Sequence, residues 1–268
     1  MCGYYMHSVI QEIVRSTEER VRQIEDPQEH KQLRFEKRDI VEMISRKKAE
    51  GKVAVIAEVK PSSPRRKLRD ILPADAAFIA RQMEDAGAVA ISVLTEPHFF
   101  KGSLENLSAV RKDVALPVLR KDFMISEKQI DEIEADMILL IVSVLGGSAG
   151  ELVHLVQSRG IEPLVEVHNE KELDMALSTN ARLIGINNRD LNTLETNLEV
   201  TLRLAPLIRK YDRENNTMHI IISESGIDGA SDVRRVIAAG ADGILVGTSI
   251  IESDDIYART KELVEALN

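Results

Sequence analysis

The sequence predicts an α/β protein, a (β/α)8 TIM barrel with an N-terminal helical extension. It reads as a single domain over residues 1–268, with 1–50 as the extension and 51–268 as the barrel. Three observations lead there. From residue 52 onward, eight short β-branched runs alternate with longer amphipathic stretches, each pair about the size of a strand–loop–helix–loop unit. The runs are almost continuously apolar, as parallel strands covered by helices should be. The competing open, doubly wound sheet calls for a GxGxxG turn after the first strand, and none is present.

The extension comes first. Val9, Ile10, Ile13, Val14, Val21 and Ile24 recur at helical spacing until Asp26–Pro27 breaks the run. A second stretch carries Leu33, Phe35, Ile40, Val41 and Ile44. The predicted strands are Val53–Glu58, Val89–Leu94, Pro117–Lys121, Met137–Val142, Glu162–Val167, Arg182–Asn187, His219–Glu224 and Gly243–Gly247. Helical patterns fill the intervals at Ala74–Ala86, Leu104–Arg111, Glu127–Glu134, Ala149–Ser158, Lys171–Leu177, Leu198–Ile208, Ala230–Ala239 and Asp255–Leu267. Gly87, Gly160 and Gly240 sit where helices stop before the next strand. No linker rich in Gly, Pro or Ser divides the chain.

Composition narrows the function. Of 268 residues, 44% are hydrophobic, enough for a large core. The 35 basic and 44 acidic residues leave a net charge of −9, which argues against nucleic-acid binding. The longest apolar run, Met137–Leu145, is interrupted by Ser143 and falls short of the roughly 18 residues of a membrane span. Met1–His7 lacks the basic and apolar regions of a signal peptide. The one cysteine, Cys2, permits no internal disulfide and carries no assigned role. A cytoplasmic protein acting on a small molecule is expected, with no membrane or nucleic-acid partner.

In such a barrel the active site lies at the C-terminal ends of the strands. Side chains alternate along a strand, so Ala54, Ile56, Glu58 and Lys60 share one face, as do Leu119 and Lys121, Leu164 and Glu166, Gly185 and Asn187, and Ile222 and Glu224. If these faces point inward, Glu58, Lys60, Lys121, Glu166, Asn187 and Glu224 meet at one mouth. Lysines and glutamates without clustered His or Cys argue against a metal site. A lysine among acids can serve as a general acid or base, or as a Schiff-base nucleophile. Asp122, on the opposite pleat, is read as structural. His98, His154, His168 and His219 lack a triad-like context and are read as loop or surface residues, with His168 near the rim. Ser225–Gly226 after the seventh strand and Gly247–Thr248 after the eighth form a candidate phosphate cradle. The glycines would let backbone approach the anion, and a short helix from Thr248 would aim N–H groups at it.

The motifs Ile56–Ala57–Glu58–Val59–Lys60 with Ser63–Pro64, Ala90–Ile91–Ser92–Val93–Leu94–Thr95–Glu96, Leu119–Arg120–Lys121–Asp122–Phe123, Leu164–Val165–Glu166–Val167–His168, Ile184–Gly185–Ile186–Asn187–Asn188–Arg189–Asp190–Leu191, Ser223–Glu224–Ser225–Gly226–Ile227 and Val246–Gly247–Thr248 occur in this order along the chain. Together they resemble the indole-3-glycerol phosphate synthase family of tryptophan biosynthesis.

The resemblance implies a carboxy-lyase. It would close the indole ring of 1-(2-carboxyphenylamino)-1-deoxyribulose 5-phosphate with loss of carbon dioxide and water, using no cofactor and no metal. It implies Lys121 as the general acid and Glu166 as the proton-transfer partner in dehydration. Lys60 would meet anionic groups and transfer protons, with its division of labour with Lys121 left open. Glu58, Asn187 and Glu224 would orient substrate or stabilise the cationic intermediate. Ser63 and Arg189 would lie at the polar end, and Ser225, Gly226, Gly247 and Thr248 would hold the phosphate. Phe100 and Phe123 could wall the aromatic ring. The family setting also leaves room for association with other enzymes of the tryptophan pathway. Two departures stand out. Arg65–Arg66–Lys67 follows Ser63–Pro64 where the family usually has Ser-Lys-Gly, and Lys101 replaces an asparagine. An isomerase on the same phosphate-binding barrel would require a Cys or Asp acid–base pair, and a silent scaffold would not need Lys60, Lys121 and Glu166 together.

Overall fold

The computed structural model describes residues 8–25, 38–64 and 66–268. Cys2 and the rest of Met1–His7, the Asp26–Pro27 break, Leu33, Phe35 and Arg65 lie outside them. The chain begins with α1 (Ser8–Gln23) and α2 (Ile40–Ala49), followed by β1 (Ala54–Val59) and a hairpin of β2 (Ser62–Ser63) and β3 (Arg66–Lys67). Next come α3 (Pro73–Asp85), β4 (Ala90–Leu94), α4 (Leu104–Asp113), β5 (Val118–Lys121) and β6 (Met137–Ile141). After these lie α5 (Val142–Leu145), α6 (Ala149–Ser158), β7 (Glu162–Val167), α7 (Glu170–Leu177), β8 (Leu183–Asn187) and α8 (Glu199–Asn215). The chain finishes with β9 (Ile220–Glu224), α9 (Ala230–Ala238), β10 (Gly243–Val246), α10 (Thr248–Ile251) and α11 (Ile256–Val264). Apart from the β2–β3 hairpin, the strands form one closed parallel barrel in which β10 pairs back onto β1.

Each strand is buried on both faces, so it carries apolar residues on both. One layer, including Val55, Val93, Val118, Val165 and Ile184, packs beneath the helices. The other, including Ile56, Leu119, Leu139, Leu164, Ile222 and Leu245, fills the barrel. The two N-terminal helices seal the barrel at opposite ends. Ile40 and Ile44 of α2 join the interior layer with Ala54 and Val89, at the floor where strands begin. Nearby, Arg38 Nη1 donates to the Leu116 carbonyl (2.9 Å), and Lys48 pairs with Asp242 just before β10. Ile10 of α1 instead lines the mouth, where Arg20 pairs with Asp122 at 2.7 Å.

Two local expectations change, and two short elements appear without one. The helix expected over Glu127–Glu134 is only a 3-10 turn at Glu127–Gln129. The Gln129 side chain bonds the Ile125 and Ser126 N–H groups and the Phe123 carbonyl, while buried Arg120 takes the Gln129 carbonyl at 2.6 Å. Those side-chain bonds hold the segment out of helical register. The helix expected to end at Ile208 runs on to Asn215, because its polar last turns need no core and Asn216 ends it in a left-handed conformation (φ 53°). The β2–β3 hairpin and short α5 had no periodic signal of their own.

Ile44→Ala, removing a fully packed side chain from the floor, should cost about 2–5 kcal/mol. Urea unfolding should show an earlier midpoint with an unchanged slope, and an unshifted midpoint would mean that α2 does not plug the barrel.

Candidate active site

The strand ends surround a cavity of about 370 Å³ at the C-terminal mouth. Every site residue expected from the sequence lines it: Glu58, Lys60, Ser63, Phe100, Lys121, Phe123, Glu166, Asn187, Arg189, Glu224, Ser225, Gly226, Gly247 and Thr248. Strand register explains the convergence. Glu166 is the Cα partner of Gly185 and Asn187 that of Glu224, so neighbouring strands deliver these side chains at one level of the inward face.

Lys121 is the centre. Its Nζ lies 2.9 Å from Glu224 Oε2 and 3.4 Å from Glu166 Oε2. Burial alone would lower its proton affinity, but Glu224, Glu166 and Glu58 overcome that and hold it above the ordinary lysine value. Lys60 behaves oppositely. Its Nζ is 3.5 Å from Glu58 Oε1, yet burial, helped by Lys121 and Arg189, outweighs that pairing and lowers its affinity. The two lysines thus differ in how tightly they keep a proton. The carboxylates also diverge. Burial raises both, but Lys121, His168 and Asn187 pull Glu166 below the usual range. Glu224 faces both Glu166 and Glu58, and burial with their repulsion lifts it to about 7.

Phe100 and Phe123 stand together on the apolar side, with ring centroids 6.2 Å apart, and Lys60 Nζ lies 6.0 Å from the Phe100 centroid. Arg189 Nη1 donates to the Leu194 carbonyl (2.7 Å), and its own N–H donates to Asn187 Oδ1. Asp122 also lines the cavity and is held there by its own partners. It accepts from Thr95, Arg20 and Arg120, the last a fully buried guanidinium behind the sheet.

Two glycines also make room for carboxylates. A Cβ on Gly247 would lie 2.6 Å from Glu58 Oε1, and one on Gly185 would lie 2.2 Å from Glu224 Oε1. Both positions leave space for a catalytic-side carboxylate, so at Gly247 the requirement comes from Glu58 as well as from any anion. Lys101 adopts φ 55°, a left-handed conformation that Asn tolerates better than Lys, so that departure carries backbone strain.

Two histidines contradict the surface reading. His219 is buried and pairs with Asp212 on the far side of the barrel. His168 is wedged between Glu166 and Glu172, with a side chain only 9% exposed. Sequence reasoning also passed over Glu96 and Ser92. Buried Glu96 accepts the N–H groups of His98, Phe99 and Phe100 and so fixes the aromatic loop, while Ser92 Oγ donates to Glu58 Oε2 at 3.3 Å. A buried acid directly ahead of a Pro-His-Phe-Phe turn was the available signal for Glu96. Ile10 was legible as apolar, but its place over the mouth was not. Among the described residues, no group of three or more His, Cys, Asp or Glu could hold a metal ion, and no helix is long and apolar enough to cross a membrane.

With that geometry in place, the family model described as indole-3-glycerol phosphate synthase matches residues 6–263. The chain belongs to the indole-3-glycerol phosphate synthase family. Relatives of that name agree. One from Halobacterium salinarum is 43% identical over 218 residues, covering 81% of this chain and 83% of its own. One from Carboxydothermus hydrogenoformans is 44% identical, covering 78% of each chain. One from Mycolicibacterium gilvum is 46% identical, covering 80% of this chain and 77% of its own. A crystal structure of 3-hexulose-6-phosphate synthase superposes with a TM-score of 0.62 at 16% identity, covering 80% of this chain and all of that one, and it supports the barrel fold alone. In this indole-3-glycerol phosphate synthase family member, the matched range takes in all eight barrel strands and the cavity at their C-terminal ends.

Gly185→Ala should displace Glu224 from Lys121 and cut turnover at least tenfold while the melting temperature moves little, since the clash meets a mobile carboxylate end. Steady-state kinetics beside a thermal melt decides it, and unchanged turnover would show that Glu224 does not need that space.

Proposed function

We infer that the chain closes the indole ring of 1-(2-carboxyphenylamino)-1-deoxyribulose 5-phosphate, releasing carbon dioxide and water, as the family name and the cavity chemistry together imply. The observation that carries the assignment of roles is one buried lysine clasped by two buried carboxylates, with a second, less basic lysine beside them.

In the first step the aromatic carbon bearing the carboxylate attacks the ketone carbon, and negative charge develops on the ketone oxygen. Lys121 supplies the hydrogen bond and then the proton at that oxygen. Its proton is tightly held, but an alkoxide is basic enough to take it. The attack disrupts aromaticity and spreads positive charge over the nitrogen-bearing ring. Glu58, Glu166 and Glu224 surround that charge at fixed positions, where the low dielectric makes them effective. Loss of carbon dioxide restores the aromatic ring.

Dehydration then removes the former ketone oxygen as water. Lys60 keeps its proton less tightly and is the better donor to that departing hydroxyl. Glu166 remains a carboxylate and takes the proton from the adjacent carbon as the indole double bond forms. Asn187 fixes the carboxylates' neighbourhood, Phe100 and Phe123 flank the ring, and Ser63 and Arg189 face the polar end. Ser225, Gly226, Gly247 and Thr248 supply backbone and hydroxyl donors for phosphate where α10 begins.

Lys121→Ala should lower kcat by about 10²- to 10⁴-fold. It should also destabilise the protein more at pH 8 than at pH 5, because carboxylates left without their cation escape repulsion by taking up protons. Near-normal turnover would remove Lys121 from the chemistry. Glu166→Gln should reduce kcat far more than it raises KM, whereas a pure KM effect would make Glu166 a binding group. Inorganic phosphate should compete with substrate, and non-competitive behaviour would place the phosphate elsewhere.

A further inference from the structure

We propose that His168 is a positioning residue of this active site, an imidazolium held between Glu166 and Glu172 that keeps Glu166 ionised and oriented. The proposal rests on the reading of Glu166 as the proton acceptor in dehydration.

Both ring nitrogens face carboxylate oxygens. Nδ1 lies 2.9 Å from Glu172 Oε2, and Nε2 lies 3.3 Å from Glu166 Oε1. A neutral ring has one N–H and one lone pair, and whichever nitrogen lost its proton would leave that lone pair beside a carboxylate oxygen. Only the doubly protonated ring is attracted at both ends. The Nε2 contact is an ion pair off the hydrogen-bond line, and Nε2 is otherwise without a partner and shut off from solvent. Burial works against the charge, but Glu166 and Glu172 overcome it and raise the imidazole to about 10.

Glu172 is itself fixed. Its Oε2 accepts the His168 N–H at 2.9 Å, its Oε1 accepts from Asn169 Nδ2 at 2.7 Å, and its own N–H donates to Asn169 Oδ1 at the start of α7. The ring therefore has a rigid anchor on the side away from the cavity. Glu166 consequently touches two cations, Lys121 through Oε2 and His168 through Oε1. Lys121 must turn to the ketone oxygen during ring closure. Burial and the facing Glu224 would then push a lone Glu166 towards protonation, and Asn187 offers no charge. His168 takes no part in the reaction and keeps Glu166 charged through that exchange.

Three measurements test this. In ¹⁵N-histidine NMR of the whole protein, both His168 nitrogens should carry protons at pH 8, and a neutral tautomer there would overturn the proposal. Glu172→Gln should lower the midpoint of that titration by at least one pH unit. In His168→Gln, the acid limb of the kcat profile should move up by at least one pH unit with KM changed less than twofold. An unmoved limb would also overturn it. The melting-temperature gap between parent and His168→Gln should be widest below pH 6.5 and close as pH rises through about 10, since a raised histidine stabilises only while it is protonated in the fold. Glu166→Gln is assayed alongside. If it keeps turnover, the acceptor reading fails, and the NMR titration alone still decides the charge of His168. If it is inactive and the His168→Gln limb is unmoved, only the proposal about His168 fails.

Discussion

The structure is organised around one buried lysine, Lys121, which carboxylates from two other strands share. Lys121 lies within reach of two carboxylates, with a third close enough to act on it, and Glu224 yields by holding its proton up to about pH 7. Each of those acids has a cation at hand: Glu224 and Glu166 share Lys121, Glu166 also meets His168, and Glu58 faces Lys60. Removing one partner would leave a buried charge uncompensated, which is costly. In the mechanism inferred above, the positive charge that develops as the ring loses aromaticity falls among these fixed carboxylates, which favours the transition state over the ground state.

The barrel makes that arrangement possible through its regularity. Parallel strands hold fixed register, so one residue at the end of each strand reaches the same height above the floor. Side-chain volume is shared between neighbours: Gly185 of β8 leaves room for Glu224 of β9, and Gly247 after β10 leaves room for Glu58 of β1. The outer pleat is equally occupied. Arg120, next to Lys121 in sequence, points behind the sheet, joins Asp122 and Glu132, and anchors the strand that carries the lysine.

The sequence carried this much because its signals are periodic. Apolar runs gave eight strands within a residue or two, and alternation along each strand gave the inward set from Glu58 to Glu224. What escaped reading depends on partners far apart in sequence. Nothing near Ile10 or Ile44 says that one helix covers the mouth and the other the floor. That Gly247 also makes room for Glu58 was not legible, because Glu58 belongs to the other end of the barrel sequence. His168 looked like a rim residue because a histidine after a strand usually meets water. Only the i to i+4 position of Glu172 on α7 hinted at its second carboxylate. The 3-10 turn at Glu127–Gln129 was hidden because side-chain bonds, and not apolar periodicity, shape it.

The closure of β1 against β10, with α2 tied to Asp242 by Lys48, bears on how the polypeptide is made. β1 and α2 are synthesised well before their partners around β10, 194 residues earlier for that ion pair. Until then β1 has a free edge on one side, and the floor helix lacks half of its seat. Synthesis therefore leaves the barrel unclosed, with part of its apolar interior unsealed, until the final strand emerges.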